Sequence, residues 1–300
     1  MKKALFVVLL LSLLLGGALA SAQEALVEYA KPEILVDTQW IQENVGDENV
    51  VIIHLAGNVE DFEEAHIEGA RFVTLAELNN PDDAVSGQIG TADQVAATLG
   101  KLGVTPEDTV VFYDANNNLQ AARAYWVLKY FQHEDVRIYN GGVRKWEDEG
   151  LELASGPAPE IEAVEYPIPE ADSEIRTTSE YVLEHMDDAG VQLCDTRNPE
   201  EFIGSDVRSD RGGHIPGAIN LEWIHTVNQD GTFKSYDQLD ALFQAAGFDR
   251  SKQIITYCQT GVRGAHVWFA LRELLGYEDV RNYDGSWEEW GNSADLPIDS

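Results

Sequence analysis

Positive charge is scarce in this 300-residue chain: 20 Lys and Arg stand against 53 Asp and Glu, a net charge of −33. A nucleic-acid-binding protein needs a basic face to displace counterions from phosphates, so that class is excluded. Cysteine is equally scarce, and two residues, Cys194 and Cys258, cannot build a disulfide scaffold. Beyond the first fifteen residues no segment approaches the roughly 20 apolar residues that cross a bilayer. What remains is ordinary: 44% hydrophobic and 9% aromatic residues support a sizeable core and exclude a disordered or collagen-like chain. The length allows two domains of roughly 100–200 residues each.

The N-terminus has the three-part pattern of a secretory signal peptide. Lys2 and Lys3 precede an apolar run from Ala4 to Leu15, and Gly16, Gly17 and Ala18-Leu19-Ala20 supply small residues. Cleavage is expected after Ala20 or Ala22, so residues 1–22 are assigned as signal peptide. The run is short for a membrane span, which makes an uncleaved anchor the weaker alternative. No Cys follows the run, which excludes a lipoprotein anchor, and no twin Arg is present. The expectation is a periplasmic or secreted protein with no stable membrane association after signal cleavage.

The remainder reads as two copies of one unit. Val136-Arg137-Ile138-Tyr139-Asn140-Gly141-Gly142 matches Val280-Arg281-Asn282-Tyr283-Asp284-Gly285-Ser286 at an offset of 144, which Trp146 and Trp290 share. Ala65-His66-Ile67-Glu68-Gly69-Ala70 echoes Gly213-His214-Ile215-Pro216-Gly217-Ala218 at an offset of 148. A Pro- and Gly-punctuated stretch from Ser155 to Pro169 separates them. The boundaries are 30–150 for the first unit, 151–173 for the linker and 174–300 for the second unit. Val50–Leu55, Thr109–Tyr113 and Gln253–Tyr257 read as buried parallel strands. Apolar stripes Ala124, Val127, Leu128, Phe131 and Val267, Ala270, Leu271, Leu274 read as core faces of the helices that follow. This alternation predicts an α/β fold with helices on both faces of a mainly parallel sheet.

The chemistry points to Cys258, directly after the strand Gln253–Tyr257 and followed by Gln259-Thr260-Gly261-Val262-Arg263 as a helix begins. Backbone N–H groups of a tight loop converge into an anion-binding nest, and a helix N-terminus adds positive potential. Arg263 is permanently charged. All three favour thiolate, the nucleophilic form, and Gly261 permits a backbone angle that other residues resist. A buried structural cysteine is the competing explanation.

With the segment His214-Ile215-Pro216-Gly217-Ala218 and the C-terminal Tyr283-Asp284-Gly285-Ser286-Trp287-Glu288-Glu289-Trp290, this loop resembles the rhodanese family of sulfurtransferases, in its tandem two-domain members. The resemblance covers nearly all of the chain after the leader and implies two tandem rhodanese-like domains. The family has an aromatic four residues before the His, where this chain has Phe62 in the first half but Asp210 in the second. At offset 144 from Cys258 the first half has Asp114, so 30–150 is expected to be catalytically inactive and 174–300 catalytic. The resemblance implies Cys258 as catalytic nucleophile carrying a persulfide, and Gln259, Thr260, Gly261, Val262 and Arg263 as the loop that binds substrate. It implies Arg197, in Asp195-Thr196-Arg197, as a further cation for the donor, with Arg208 and Arg211 in reach; a structural ion pair is the alternative for Arg197. Glu201 stands where many relatives have another Arg.

The implied reaction takes a sulfane sulfur from a small anionic donor to a thiophilic acceptor, cyanide or a thiol, with no metal or organic cofactor. Thiosulfate is the expected donor, as a thiosulfate sulfurtransferase uses; 3-mercaptopyruvate is the alternative. Thr260-Gly261-Val262 leans towards the second and Arg263 towards the first. Two rivals come from other classes. A phosphatase of related architecture has five residues between Cys and Arg, and this loop has four. A periplasmic sulfur-carrier or partner-binding module is the other. Cys194, His66, His214, Trp287 and Trp290 are expected to be structural.

Overall fold

The computed structural model describes residues 28–300. The assigned signal peptide, residues 1–22, lies outside them. The first half runs β1 (Leu35–Val36), α1 (Thr38–Asn44), β2 (Val50–Leu55), α2 (Val59–Glu64), β3 (Arg71–Val73), α3 (Ala92–Lys101), β4 (Thr109–Asp114), α4 (Leu119–Tyr130), β5 (Val136–Tyr139) and α5 (Gly142–Asp148). The second half repeats the order: β6 (Arg176–Thr177), α6 (Ser179–His185), β7 (Val191–Asp195), α7 (Pro199–Phe202), β8 (Ile219–Asn220), α8 (Tyr236–Ala246), β9 (Gln253–Tyr257), α9 (Val262–Trp268), β10 (Val280–Tyr283) and α10 (Ser286–Trp290).

Each half forms one five-stranded sheet, ordered β1-β5-β4-β2-β3 and β6-β10-β9-β7-β8. Every pairing within them is parallel. The central strands β4 and β9 are buried on both faces, as a parallel sheet covered by helices requires. Register fixes the equivalence of the halves: His54 lies beside Tyr113 in one, Asp195 beside Tyr257 in the other. Asp114 and Cys258 therefore hold the same station, one residue beyond those tyrosines.

The helices start where the sequence supplies caps. Asn58 accepts from the Asp61 N–H at α2, and Asn198 accepts from the Glu201 N–H at α7. Between these caps and the two histidines the halves diverge. Phe62 stacks on His66, with ring centroids 4.0 Å apart, and Phe202 stacks on His214 at 3.6 Å. The aromatic expected four residues before His214 is thus present as Phe202; the inserted stretch between them displaced it in sequence but not in space. Each histidine Nδ1 meets the carbonyl of its own stacking partner, at 2.8 and 2.9 Å.

Two further features were not visible as periodicity. Helix α4 is buried on every side from Ala121 to Leu128, because it packs against α9 of the other half as well as on its own sheet. Beyond α9 the helix widens into a π-type turn over Phe269–Leu274. The segment between the halves is pinned along the first one. Ala154 pairs with His66, the Val164 N–H donates to Gly100 O, and the Asp172 N–H donates to Tyr130 O.

Candidate active site

Cys258 follows β9 at the C-terminal end of the second sheet, the end at which open α/β sheets bind ligands. The residue is 1% exposed. Its N–H donates to Ser286 Oγ at 3.1 Å, and Ser286 Oγ donates in turn to Tyr283 O at 2.7 Å. Its carbonyl accepts from the Trp287 N–H, and the Gln259 carbonyl accepts from the Glu288 N–H, so the C-terminal signature braces the loop from below. Gly261 has a φ of +77°, and an added Cβ there would lie 2.9 Å from Asp284. Only glycine fits both the angle and the space. Ser286 takes a left-handed φ of +52°, an uncommon conformation that its two hydrogen bonds hold.

The first half shows what this loop is built to surround. The Asp114 carboxylate accepts backbone N–H bonds from Asn116 at 2.7 Å, Asn118 at 3.0 Å, Gln120 at 2.7 Å and Ala121 at 2.9 Å. Burial pushes its carboxyl above the ordinary aspartate value, and those four donors pull the other way. Asn117, equivalent to Gly261, shares the left-handed angle at φ +57°. In the second half three of the four equivalent amides, those of Thr260, Val262 and Gly264, donate to no acceptor among the described residues, and the fourth, Ala265, donates to Gly261 O at 2.9 Å. The same peptide cradle closes on a built-in carboxylate in one half and faces a thiol in the other.

The expected substrate residues fall into two groups. Gln259, Thr260, Gly261, Val262 and Arg263 form the loop and the start of α9 around Cys258. Gln259 donates to Ser209 Oγ and Glu288 Oε2, each at 3.0 Å. The Arg263 guanidinium makes a bidentate pair with Glu201, at 2.6 and 2.9 Å. Burial works against its charge, but Glu201 and the Cys258 sulfur push its proton affinity upward. Burial likewise opposes the Glu201 charge, yet Arg263, Arg208 and Arg197 hold its carboxyl below the ordinary glutamate value.

Arg197 lies below this group. It is 1% exposed, donates from Nε and Nη2 to Asp195 and from Nη2 to Gly213 O, and stacks 4.4 Å from the Trp287 ring. That arrangement braces β7 against the Trp287 that holds the Cys258 carbonyl. Arg208 pairs with Asp206 and approaches Glu201 at 3.7 Å. Arg211 is spent on carbonyls of the C-terminal turn, among them Trp290 O and Leu296 O. Cys194 is fully buried, and both cysteines are free thiols.

Sequence reasoning gave no role to Ser286, to Asp284 or to Arg123. The last two form a buried ion pair at 2.7 Å from opposite halves, which no local pattern announces. Among the described residues no group of three or more His, Cys, Asp or Glu is arranged to hold a metal ion, and no helix is long and apolar enough to cross a membrane. A cavity of about 720 Å³ near Asp47, Glu68 and Glu160 lies in the first half, where β2 and β3 begin, and Cys258 does not line it.

Comparison with known proteins agrees with this geometry. The Rhodanese-like domain profile matches the chain twice, over residues 37–149 and 178–293. A Thermus thermophilus protein named sulfur carrier protein TtuD is 39% identical over 90% of this chain and 98% of its own length. A Mycobacterium bovis protein named as a candidate thiosulfate sulfurtransferase is 38% identical over 90% of this chain and 99% of its own. The crystal structure of the 3-mercaptopyruvate sulfotransferase SseA from Escherichia coli superposes with a TM-score of 0.75 at 29% identity, covering 85% of this chain and 98% of SseA. Two profile matches in tandem, on two parallel five-stranded sheets of the same strand order, place this chain in the rhodanese family.

Proposed function

We propose that the protein is an exported thiosulfate sulfurtransferase that works through a persulfide on Cys258. The observation that carries this reading is the pair of equivalent loops. In the first half four amides ring a carboxylate, so the loop's backbone is an anion cradle. In the second half a thiol occupies that station with three of the four equivalent amides uncommitted. Sulfurtransferase chemistry in general is supported by the relatives named for it and by the likeness to SseA.

The reaction balances without an oxidant. The Cys258 thiolate attacks the outer sulfur of thiosulfate, and the S–S bond of the donor breaks. Sulfite leaves with that bonding pair, and Cys258 carries the sulfur as a persulfide. Cyanide or a thiolate then attacks the outer sulfur, and the electron pair returns to Cys258. Splitting the transfer in two is covalent catalysis, and the loop amides stabilise the anionic sulfur in each resting form. A cysteine only 1% exposed favours a donor whose sulfane sulfur projects from a small head. The leader pattern at residues 1–22 supports a periplasmic or secreted location.

One observation favours a second donor. Glu201 neutralises Arg263 in place of the further Arg of many relatives, so the loop's own cation is matched before a donor arrives. A dianion loses most from that, so 3-mercaptopyruvate is the alternative donor. Carriage of sulfur between proteins is the other alternative, supported by the relative named as a sulfur carrier. Intact-mass measurement after incubation with thiosulfate tests the reading. One added sulfur, absent in Cys258→Ser and removed by cyanide as thiocyanate, is expected. Parallel kcat/KM values for both donors then choose between them, and labelling by 3-mercaptopyruvate alone refutes the thiosulfate assignment.

A further inference from the structure

The half without a thiol reaches into the site of the half that has one. Arg123 lies on α4 of the first half and is fully buried. Its Nη1 sits 2.7 Å from Asp284 Oδ1, a charge contact not aligned as a hydrogen bond, and its Nη2 donates to Gly87 O at 3.1 Å. The guanidinium rests 4.6 Å from the Trp126 ring. Asp284 Oδ2 is met by the Ile89 N–H at 3.0 Å and by Arg176 Nη2 at 3.3 Å. Arg176 also donates to Gln88 Oε1 at 2.6 Å.

These contacts converge on the Cys258 loop. A Cβ at Gly261 would lie 2.9 Å from both Asp284 O and Oδ1 and 3.2 Å from Arg123 Nη1. A Cβ at Gly87 would lie 2.9 Å from Thr260 Cβ. Gly261 is therefore packed on the ion pair, and Thr260 is packed on the segment that Arg123 holds. One buried carboxylate faces two guanidinium groups, the fully buried Arg123 and the 30% exposed Arg176, so positive charge is in excess behind the cradle in a chain of net charge −33. The position equivalent to Arg123 in the second half is Val267, so symmetry of the fold does not demand an arginine here.

We infer that Arg123 is a positioning residue for the Cys258 loop. By fixing Asp284 and Gly87 it holds Gly261 in its left-handed angle and keeps the loop amides aimed at the sulfur. It acts through those neighbours. The inference rests on the reading of the Cys258 loop as an anion-binding reaction centre, and it gives the thiol-free half a part in the reaction.

The test compares alkylation of Cys258 by iodoacetate, an anion, and by iodoacetamide, its neutral analogue, in the full chain with peptide mapping. An aimed, positive cradle favours the anion, so the rate ratio reports the loop and needs no sulfur transfer. In Arg123→Met the iodoacetate-to-iodoacetamide ratio is expected to fall roughly tenfold, and the donor KM to rise more than kcat falls. Arg123→Lys, which keeps the charge and loses the fork, is expected to recover about a third of that loss. An unchanged ratio in a folded Met variant makes Arg123 a structural tie and overturns the inference. Should the Met variant fail to fold, the Lys variant decides alone, with a fall of roughly twofold or more supporting the role and no change refuting it. A normal ratio change in a protein that transfers no sulfur from any donor sinks the proposed function and leaves the positioning role standing.

Discussion

Asp114 and Cys258 stand at the same point of two copies of one fold, and their surroundings show one loop built around a carboxylate in one copy and a thiol in the other. The first half keeps the loop, the left-handed angle and the converging amides, and fills the cradle with its own carboxylate. The second half leaves three of the equivalent amides uncommitted and has a thiol at the station of the carboxylate. Around the loop the copies differ in charge. His54 and Ala56 occupy the stations of Asp195 and Arg197, and Asn117 that of Gly261. The two loops thus differ in a few side chains over a backbone that both halves retain.

The sharpest way to break the comparison is a pair of serines. Cys258→Ser is expected to abolish sulfur transfer and leave the thermal midpoint unchanged, because an alcohol forms no persulfide. Asp114→Ser is expected to do the reverse: activity persists, and chemical denaturation shows a loss of about 2–4 kcal/mol as four amides lose their acceptor. Equal effects of both on activity would mean that the halves share the reaction.

Next in size is Arg263, which closes the Cys258 loop. Arg263→Ala removes a charge-assisted contact worth roughly 1.5–3 kcal/mol, so kcat/KM for thiosulfate is expected to fall tenfold to hundredfold. Glu201→Gln is expected to move the same constant upward, and more for thiosulfate than for 3-mercaptopyruvate, since it releases Arg263. Steady-state kinetics with both donors checks each sign. A drop in Glu201→Gln would assign the pair to structure.

The seam between the halves carries a pH dependence. His266 Nε2 lies 3.3 Å from Asn117 O and its ring stacks against Phe233. Burial lowers its pKa from 6.5 to about 3. The unfolded chain therefore binds an extra proton between those values, so this contribution is complete above pH 6.5 and is lost as pH falls towards 3. Burial lowers His54 to about 4 in the same sense. Unfolding free energies across that window are expected to slope less steeply in His266→Gln than in the wild type. The smallest effect belongs to Cys194. Its replacement by Ala is expected to cost about 1–2 kcal/mol through lost packing, with little change in activity.

Much of the site could be read along the chain because it is local. A buried strand, a Cys, a glycine three residues on and an Arg two beyond it lie within one short stretch, and the duplication exposed the missing thiol of the first half. The His-Gly turns were equally plain. The aromatic partner of His214 was not, since a loop insertion moved Phe202 away in sequence while the stacking stayed. The role of Glu201 was half visible: its departure from the family pattern could be seen, but its partner Arg263 is 62 residues distant.

By itself the sequence determined two α/β repeats, the acidic charge, the Cys258 loop and which repeat holds the thiol, because hydrophobic period, charge and motif order are written locally. Only the tertiary structure decided that Arg197 braces Asp195 and Trp287, that Arg263 is matched by Glu201, and that Arg123 reaches Asp284 across the seam. Those are pairings of buried charges, and a buried charge takes the partner that folding brings to it, whatever the distance along the chain.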